Sequence, residues 1–134
     1  DFELAMEHVL FQEFETADVF AALGGRTDHF VSNYDTAVKY AVNGVNIIFH
    51  GVNERIYFIN NPKTFNFAVG TTVSIFSGTS KTDDVYLEGF KYNVRGLILE
   101  RSSPLGLSNV AEENTQSVSF TNGLLVVIEN IKKV

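Results

Sequence analysis

The strongest local signal for β structure lies in residues 36–49, TAVKYAVNGVNIIF. In residues 36–42, side chains that favour β structure alternate with alanine and lysine, which is the period-two pattern of a strand. Asn43-Gly44 follows, and then the apolar run 45–49. An Asn-Gly pair between two strand-like runs is a strong hairpin signal, because both residues accept a positive φ. The stretch therefore predicts a β-hairpin.

The β pattern continues toward the carboxyl terminus. Strand-like runs separated by glycine, proline and asparagine turns occupy residues 55–59, 64–69, 71–77, 85–99, 117–120 and 124–131. About eight short strands at regular spacing are typical of an antiparallel sandwich, a jelly roll or a small barrel. No long βαβ crossover is visible, so a parallel α/β sheet is disfavoured. We therefore predict a mainly β fold with one short N-terminal helix.

The N-terminal segment, residues 1–25, carries two competing patterns. Alternating apolar residues indicate a strand at its start, whereas Phe2 and Met6, four residues apart, share the spacing of a helix face. We predict an extended segment that ends at Phe11, because one helix over the whole segment would carry many uncompensated acids. A short helix is predicted over residues 16–23, where a glycine pair follows as its end.

Length and composition limit the classes of protein to consider. The chain has 134 residues, 45% of them hydrophobic, and its mean hydropathy is +0.05. Such a chain can bury one core, so we predict a single domain over residues 1–134 and exclude global disorder. No cysteine is present, which excludes disulfides and thiolate chemistry. No apolar run approaches the roughly 18 residues of a membrane helix, so membrane insertion is not expected.

Negative charge is concentrated at the N-terminus. The formal net charge is −6, and no Lys or Arg precedes Arg26. A nucleic-acid partner is not expected, since phosphate binding needs clustered Lys and Arg. Acids also stand where a signal peptide carries positive charge, so no targeting segment is predicted. The acids of this arm are Asp1, Glu3, Glu7, Glu13, Glu15 and Asp18.

Residues 100–116 form a long loop without a strand pattern. A loop of this length is uncommon in a compact domain unless it is functional or disordered. Its apolar side chains either pack on their own domain or meet a partner. An apolar extended arm can likewise add a strand to a neighbour's sheet. We predict that the arm and the loop form the subunit interface of a homo-oligomer, through Phe2, Leu4, Met6, Phe11, Leu105, Leu107 and Val110.

No catalytic pattern stands out. The three histidines form no local metal-binding pair. His29 lies near Ser32 and Asp35, the residue types of a hydrolase triad, but no nucleophile-elbow glycines surround the serine. Gly24-Gly25 lacks the spaced glycines and the lysine of a phosphate loop. We therefore predict no enzyme activity, no catalytic residue, no metal site and no cofactor.

Tyrosines close to arginines offer a candidate site for a small ligand. An aromatic ring stacks on a sugar ring, and an arginine donates to its hydroxyl oxygens. The candidate pairs are Tyr57 with Arg55, and Tyr92 with Arg95. A glycan is the partner that such a site would bind.

Apolar residues in the arm and the loop, together with the missing catalytic pattern, favour an assembly role. We predict a non-enzymatic structural protein in a symmetric oligomer, such as a capsid-decoration, tail or fibre component of a phage or virus particle. The alternatives are a glycan- or receptor-binding β module and a small hydrolase. A virion or extracellular location is favoured.

Overall fold

The chain folds into short strands flanked by two helices. A computed structural model describes residues 2–131. The helices are α1 (Phe2–Phe11) and α2 (Thr27–Val42). The strands are β1 (Thr16–Phe20), β2 (Asn46–His50), β3 (Glu54–Ile59), β4 (Lys63–Phe65), β5 (Thr72–Ser77), β6 (Lys81–Glu88), β7 (Val94–Glu100), β8 (Asn109–Val110), β9 (Gln116–Ser119) and β10 (Leu125–Asn130).

The strands form two sheets. Their orders are β1-β2-β3-β10-β5-β8 and β4-β9-β6-β7. β10 lies between β3 and β5 and pairs antiparallel with both. β1 and β2 instead run parallel, with Thr16 opposite Asn46. Within residues 2–131 each sheet ends in two different strands, so neither sheet closes into a barrel.

Two apolar cores cover the two faces of the six-stranded sheet. One core joins that sheet to the four-stranded sheet, and the other joins it to α1 and α2. Along β10, Leu125 and Val127 belong to the first core and Val126 to the second, and all three are fully buried. Because both faces are covered, this strand is continuously apolar rather than alternating. Each such side chain contributes about 1.5–3 kcal/mol by its burial.

The prediction for the N-terminal segment is wrong in both of its elements. The first element is α1 rather than an extended arm, and residues 16–20 form β1 rather than a helix. Met6 is buried at 2% exposure, and Phe2 packs against the same core. Burial of one helix face outweighs the cost of the acids, and Glu3 is paired with Lys39 of α2 at 2.7 Å.

The predicted hairpin over residues 36–49 is wrong in its first half. That half belongs to α2, whereas the second half contains β2 as predicted. Ala37, Tyr40 and Ala41 are the buried residues of α2, and their spacing of three and four residues is that of one helix face. Gly44, at φ +105°, follows the end of the helix rather than turning a hairpin.

A β-α-β crossover, which the sequence pattern disfavoured, is present. β1, α2 and β2 form one β-α-β unit with parallel strands. The mainly β prediction is confirmed, but a jelly roll or small barrel is not, and the described residues hold more strands and helices than predicted. No helix in this part of the chain has the length and apolar character to cross a membrane.

The predicted loop over residues 100–116 is largely folded onto its own domain. It contains β8, where Val110 pairs with Thr72 of β5. One residue further on, Ala111 forms an antiparallel bridge with Phe90. These pairings bring the loop to the open edge of β5, beside the two-sheet core.

Candidate functional site

A cavity opens at one end of the core between the two sheets. Its volume is about 200 Å³. Strands β5, β6 and β7 contribute its walls, and part of the long loop covers it. The walls are apolar, and Asn109 adds an amide group. Prominent among the lining side chains are Ile75, Leu87, Val94, Leu99, Tyr92 and Asn109. A concave apolar site with few polar groups is typical of small-molecule binding.

Residues 103–110, which we call the strap, are held across this cavity by β5. The Ile75 amide donates to the Gly106 carbonyl oxygen at 2.8 Å, and the Ser108 amide donates to Ser74 Oγ at 3.0 Å. Gly106 is buried, and a Cβ atom at this position would overlap the carbonyl oxygen of Ile75. The strap therefore approaches β5 this closely because position 106 has no side chain.

Large apolar side chains stand exposed around the mouth of the cavity. Leu105, Leu107 and Tyr92 line the cavity, yet they are 70%, 57% and 59% exposed. The Lys91 ammonium lies 5.4 Å from the centre of the Tyr92 ring, within the range of a cation–π contact. An exposed apolar rim around an apolar cavity indicates a site for a ligand or a partner.

A second cavity lies beside the crossover unit. Its volume is about 350 Å³, and its lining includes the loop between β1 and α2 together with Phe30 and Glu54. Gly24 and Gly25 in this loop both have φ +82° and nothing within 4 Å of an added Cβ. In α/β sheets, ligands bind outside the carboxyl ends of parallel strands, and a helix N-terminus attracts anions. The loop between β1 and α2 meets both conditions.

An exposed ion pair stands at the start of α2. The Arg26 guanidinium donates to both carboxylate oxygens of Asp28, with Nη2 to Oδ2 at 2.6 Å and Nε to Oδ1 at 3.1 Å. This contact holds the pKa of Asp28 below its ordinary value. The planar guanidinium binds phosphate in the same two-point manner as carboxylate. Arg26 therefore places, at the start of α2, a group that can bind phosphate as well as carboxylate.

A polar cluster joins β3 to β10. The Tyr57 hydroxyl donates to Glu129 Oε1 at 2.9 Å, and Arg55 Nη1 lies 3.7 Å from the same oxygen. Burial, followed by this hydrogen bond, raises the pKa of Tyr57 to about 12. Tyr57 is half-buried, and its ring packs edge-on against Phe65. Because its hydroxyl donates to Glu129, this tyrosine stabilises the pairing of β3 with β10.

The residues predicted for a subunit interface fall into three groups. Phe2 and Met6 pack in the helix-side core of their own chain. Leu4 is 66% exposed and Phe11 is 83% exposed on α1. The remaining three belong to the strap, where Leu105 and Leu107 are exposed at the cavity mouth and Val110 is half-buried. An interface through the exposed members stays a prediction.

The two predicted ligand-binding pairs are placed differently. Tyr92 lines the cavity mouth, whereas Arg95 is exposed on β7. Tyr57 and Arg55 meet at Glu129, and neither of them lines any of the three cavities described for residues 2–131. In the same range, no three His, Asp or Glu side chains lie close enough together to hold a metal ion.

Comparison with known proteins shows the family of the chain. The family model of the vitamin B1 binding domain of thiamin pyrophosphokinase matches residues 57–125, slightly more than half of the chain. The chain belongs to this family. The matched range contains the lining of the strap-covered cavity, from Ile75 to Asn109.

Thiamine pyrophosphokinases also resemble the chain over nearly its whole length. That of Bacillus subtilis strain 168 is 24% identical over 133 residues, which are 97% of this chain and 62% of that protein. The crystal structure of the Bacillus subtilis enzyme has a TM-score of 0.88 at 22% identity and covers 99% of this chain and 63% of its own. The structure from Geobacillus thermodenitrificans has a TM-score of 0.84 at 25% identity, covering 99% and 62%. This chain thus spans less than two thirds of the length of these relatives.

These findings overturn the predicted function. A non-enzymatic structural protein of a phage or virus particle is wrong, because the family and its relatives are thiamine pyrophosphokinases. The prediction of no enzyme activity is wrong for the same reason, since this is an enzyme family. The glycan- or receptor-binding module and the small hydrolase are not supported either.

Sequence reasoning misses two parts of the site. It interprets Gly24-Gly25 as a helix end and rejects a phosphate loop there for want of spaced glycines and a lysine, although glycines just before a helix start are also a signal for anion binding. It assigns no role to Asn109 within the predicted loop of residues 100–116, because the burial of this residue depends on contacts with segments far along the chain. It selects Tyr92 for its ring, but on the pattern of a glycan site.

Proposed function

We propose that this chain binds thiamine in the cavity under the strap and contributes to transfer of a pyrophosphoryl group to that vitamin. The observation that carries the proposal is the match of the vitamin B1 binding domain to residues 57–125. We take the two sheets as a β-sandwich whose open end is the binding site. The relatives are named as enzymes that act on thiamine.

The chemistry of the cavity suits the two rings of thiamine. Thiamine joins a neutral aminopyrimidine ring to a positively charged thiazolium ring. The apolar walls favour the neutral ring, because burying an unpaired charge there costs far more than burying a neutral ring. The thiazolium ring then lies at the mouth, where Tyr92 already faces the ammonium group of Lys91. Because Lys91 is exposed, its ammonium group can move into solvent when a ligand cation binds over the Tyr92 ring.

The crossover unit supplies the second half of the proposal. A pyrophosphoryl donor carries several negative charges, and the loop at Gly24–Arg26 precedes the N-terminus of α2. We propose that this loop holds donor phosphate groups and that Arg26 turns from Asp28 to them.

Thiamine binding is measured by titration calorimetry on the 134-residue chain. We expect saturable binding that Tyr92→Ala weakens about tenfold through loss of ring contact at the mouth. Tyr86→Ala is the matched control, because Tyr86 is another exposed tyrosine of the four-stranded sheet that does not line the cavity. A folded protein that binds no thiamine at millimolar concentration would overturn the proposal.

Pyrophosphoryl transfer is tested with the protein, thiamine, ATP as the donor and a magnesium salt. Formation of thiamine pyrophosphate together with AMP is expected: the thiamine hydroxyl oxygen forms a bond to the β-phosphorus of ATP, the bond from that phosphorus to the α-phosphate oxygen breaks, and the hydroxyl proton is released. Arg26→Gln should lower the rate of this reaction without changing thiamine affinity. Equal loss of rate and of thiamine affinity in Arg26→Gln would contradict the assignment of separate donor and thiamine sites.

A further inference from the structure

One buried side chain forms hydrogen bonds with both the amide and the carbonyl oxygen of Tyr92. Asn109 is 5% exposed. Its Oδ1 accepts a hydrogen bond from the Tyr92 amide at 3.0 Å, and its Nδ2 donates to the Tyr92 carbonyl oxygen at 2.9 Å. The same Oδ1 also accepts from the amide of Val110 at 2.9 Å. The amide and the carbonyl group that Asn109 binds both belong to Tyr92, which is 17 positions away along the chain.

These hydrogen bonds between Asn109 and Tyr92 connect the two sheets at the cavity mouth. Asn109 belongs to β8 and pairs with Val73 of the six-stranded sheet. Tyr92 lies in the connection between β6 and β7 of the four-stranded sheet. Backbone pairing already joins this connection to the strap end at Lys91, whose amide donates to the Val110 carbonyl oxygen at 2.8 Å. The Asn109 side chain adds a second connection one residue further on, at Tyr92, which carries the exposed ring.

We infer that Asn109 is a positioning residue for thiamine, which acts by fixing the main chain of Tyr92 so that its ring stands at the mouth of the cavity. The inference rests on the proposed function. In this inference the Tyr92 ring contacts the ligand. The Asn109 side-chain amide acts indirectly, because it determines the position of that ring.

An amide is the group that this place requires. The site presents one N–H donor and one C=O acceptor from the same residue, and asparagine has both complementary groups on one short side chain. An ionised aspartate in place of Asn109 would accept from both N–H groups but could not donate to the Tyr92 carbonyl oxygen. An alanine would leave buried polar groups without partners, which favours movement of the connection.

The test compares two asparagines that serve the same connection. Asn93 Oδ1 accepts from the Phe90 amide at 3.0 Å, but Asn93 does not line the cavity and contacts no strap residue through that bond. In Asn109→Ala we expect thiamine affinity to fall about tenfold, and in Asn93→Ala less than about twofold, by calorimetry. Asn109→Asp is the second variant, for use if the alanine variant does not fold, with a loss in the same direction.

A double-mutant cycle separates positioning from general stability. If Asn109 acts through the Tyr92 ring, Asn109→Ala should cause no further loss of affinity in a Tyr92→Ala background. Additive losses would overturn the inference, as would equal losses in Asn93→Ala and Asn109→Ala.

Amide hydrogen exchange gives a readout that needs no ligand. Exchange at the Tyr92 amide should rise in Asn109→Ala and stay unchanged in Asn93→Ala. Unchanged exchange at Tyr92 in Asn109→Ala would overturn the inference. A wild-type chain that binds no thiamine would overturn the proposed function, and exchange at Tyr92 would still decide whether Asn109 fixes that residue.

Discussion

At the scale of single residues, Gly106 sets how closely the strap approaches the sheet. Its carbonyl oxygen accepts from the Ile75 amide, and its missing side chain leaves room for the Ile75 carbonyl oxygen. The cavity wall and the strap therefore meet through main-chain atoms. Residues with larger side chains stand on either side of it, at Leu105 and Leu107, and both line the cavity that the strap covers.

We predict that Gly106→Ala displaces the strap from β5. The added methyl group forces the main chain to shift, and overpacking of this kind typically costs about 1–3 kcal/mol of unfolding free energy. Thiamine affinity should fall together with stability. Urea unfolding and calorimetry measure the two effects. Ser102→Ala, at an exposed position just before the strap, should change stability by less than about 0.5 kcal/mol. Equal behaviour of the two variants would contradict this account of Gly106.

Tyr57 predicts an alkaline limit to stability. Burial and the hydrogen bond to Glu129 raise its pKa from 10.0 to about 12. Because the folded-state pKa is raised, the contribution of Tyr57 is complete below pH 10 and is lost as the pH rises toward 12.

Tyr57→Phe isolates that contribution. At about pH 8 the variant should be less stable by about 1–3 kcal/mol, because the hydroxyl bonds a carboxylate. The difference between wild type and variant should shrink between pH 10 and pH 12, when unfolding is followed by circular dichroism. A difference that stays constant over this range would contradict the role of Tyr57.

At the scale of elements, the predictions succeed where a local pattern and tertiary packing agree. The Asn46–His50 and Leu125–Asn130 strands carry apolar runs that only a sheet buries well, and both are predicted from the sequence. In residues 36–42 the β-like alternation is a coincidence, because Ala37, Tyr40 and Ala41 also lie on one helix face. Such short runs fit both periods, and packing against the sheet decides between them.

The site is less predictable than the fold for a physical reason. Its parts come from separate segments, so their proximity depends on pairings between distant strands. Tyr92 and Asn109 meet only because β8 pairs with β5 beside the connection that follows β6. The glycine pair before α2 becomes a candidate anion site only when β1 and β2 are known to be parallel.

Helix α1 predicts a contrast between its two faces. Met6 is 2% exposed in the helix-side core, whereas Phe11 is 83% exposed. Met6→Ala should lower the unfolding free energy by about 2–5 kcal/mol, because it leaves a cavity in the core. Phe11→Ala should change it by less than about 0.5 kcal/mol. Chemical unfolding measures both, and comparable losses would contradict the packing of α1.

The same Phe11 variant tests the interface prediction. Light scattering on Phe11→Ala and on Leu105→Ala shows whether either side chain supports association. Deletion of residues 1–14 is a poorer test, because it removes Met6 from the core along with the exposed residues. A wild-type protein that is monomeric at all concentrations would contradict an interface at these residues.

At the scale of the whole molecule, ligand binding should stabilise the entire fold. The strap-covered cavity lies between the two sheets, so a bound ligand contacts β5, β6 and β7 together. A ligand that binds only the folded state, at about 100 times its dissociation constant, adds about 2.7 kcal/mol to stability. We therefore predict that thiamine raises the melting temperature by several degrees in a concentration-dependent way.

Thermal unfolding with and without thiamine measures this effect. Tyr92→Ala is expected to melt near the wild-type temperature without ligand and to show a smaller rise with it. Tetramethylammonium, a cation without the aminopyrimidine ring, serves as the control compound. If it stabilises the protein as much as thiamine does, the rise reflects charge alone and contradicts binding in the cavity.

The position of β10 has a consequence for biosynthesis. This strand comes last among the described strands, yet it lies between β3 and β5 and contributes to both cores. While a ribosome is still making residues 125–130, β3 and β5 of the emerging polypeptide each have an edge that lacks its pairing strand. We expect the nascent protein to remain open, and vulnerable to chaperone capture and proteases, until this strand has left the exit tunnel.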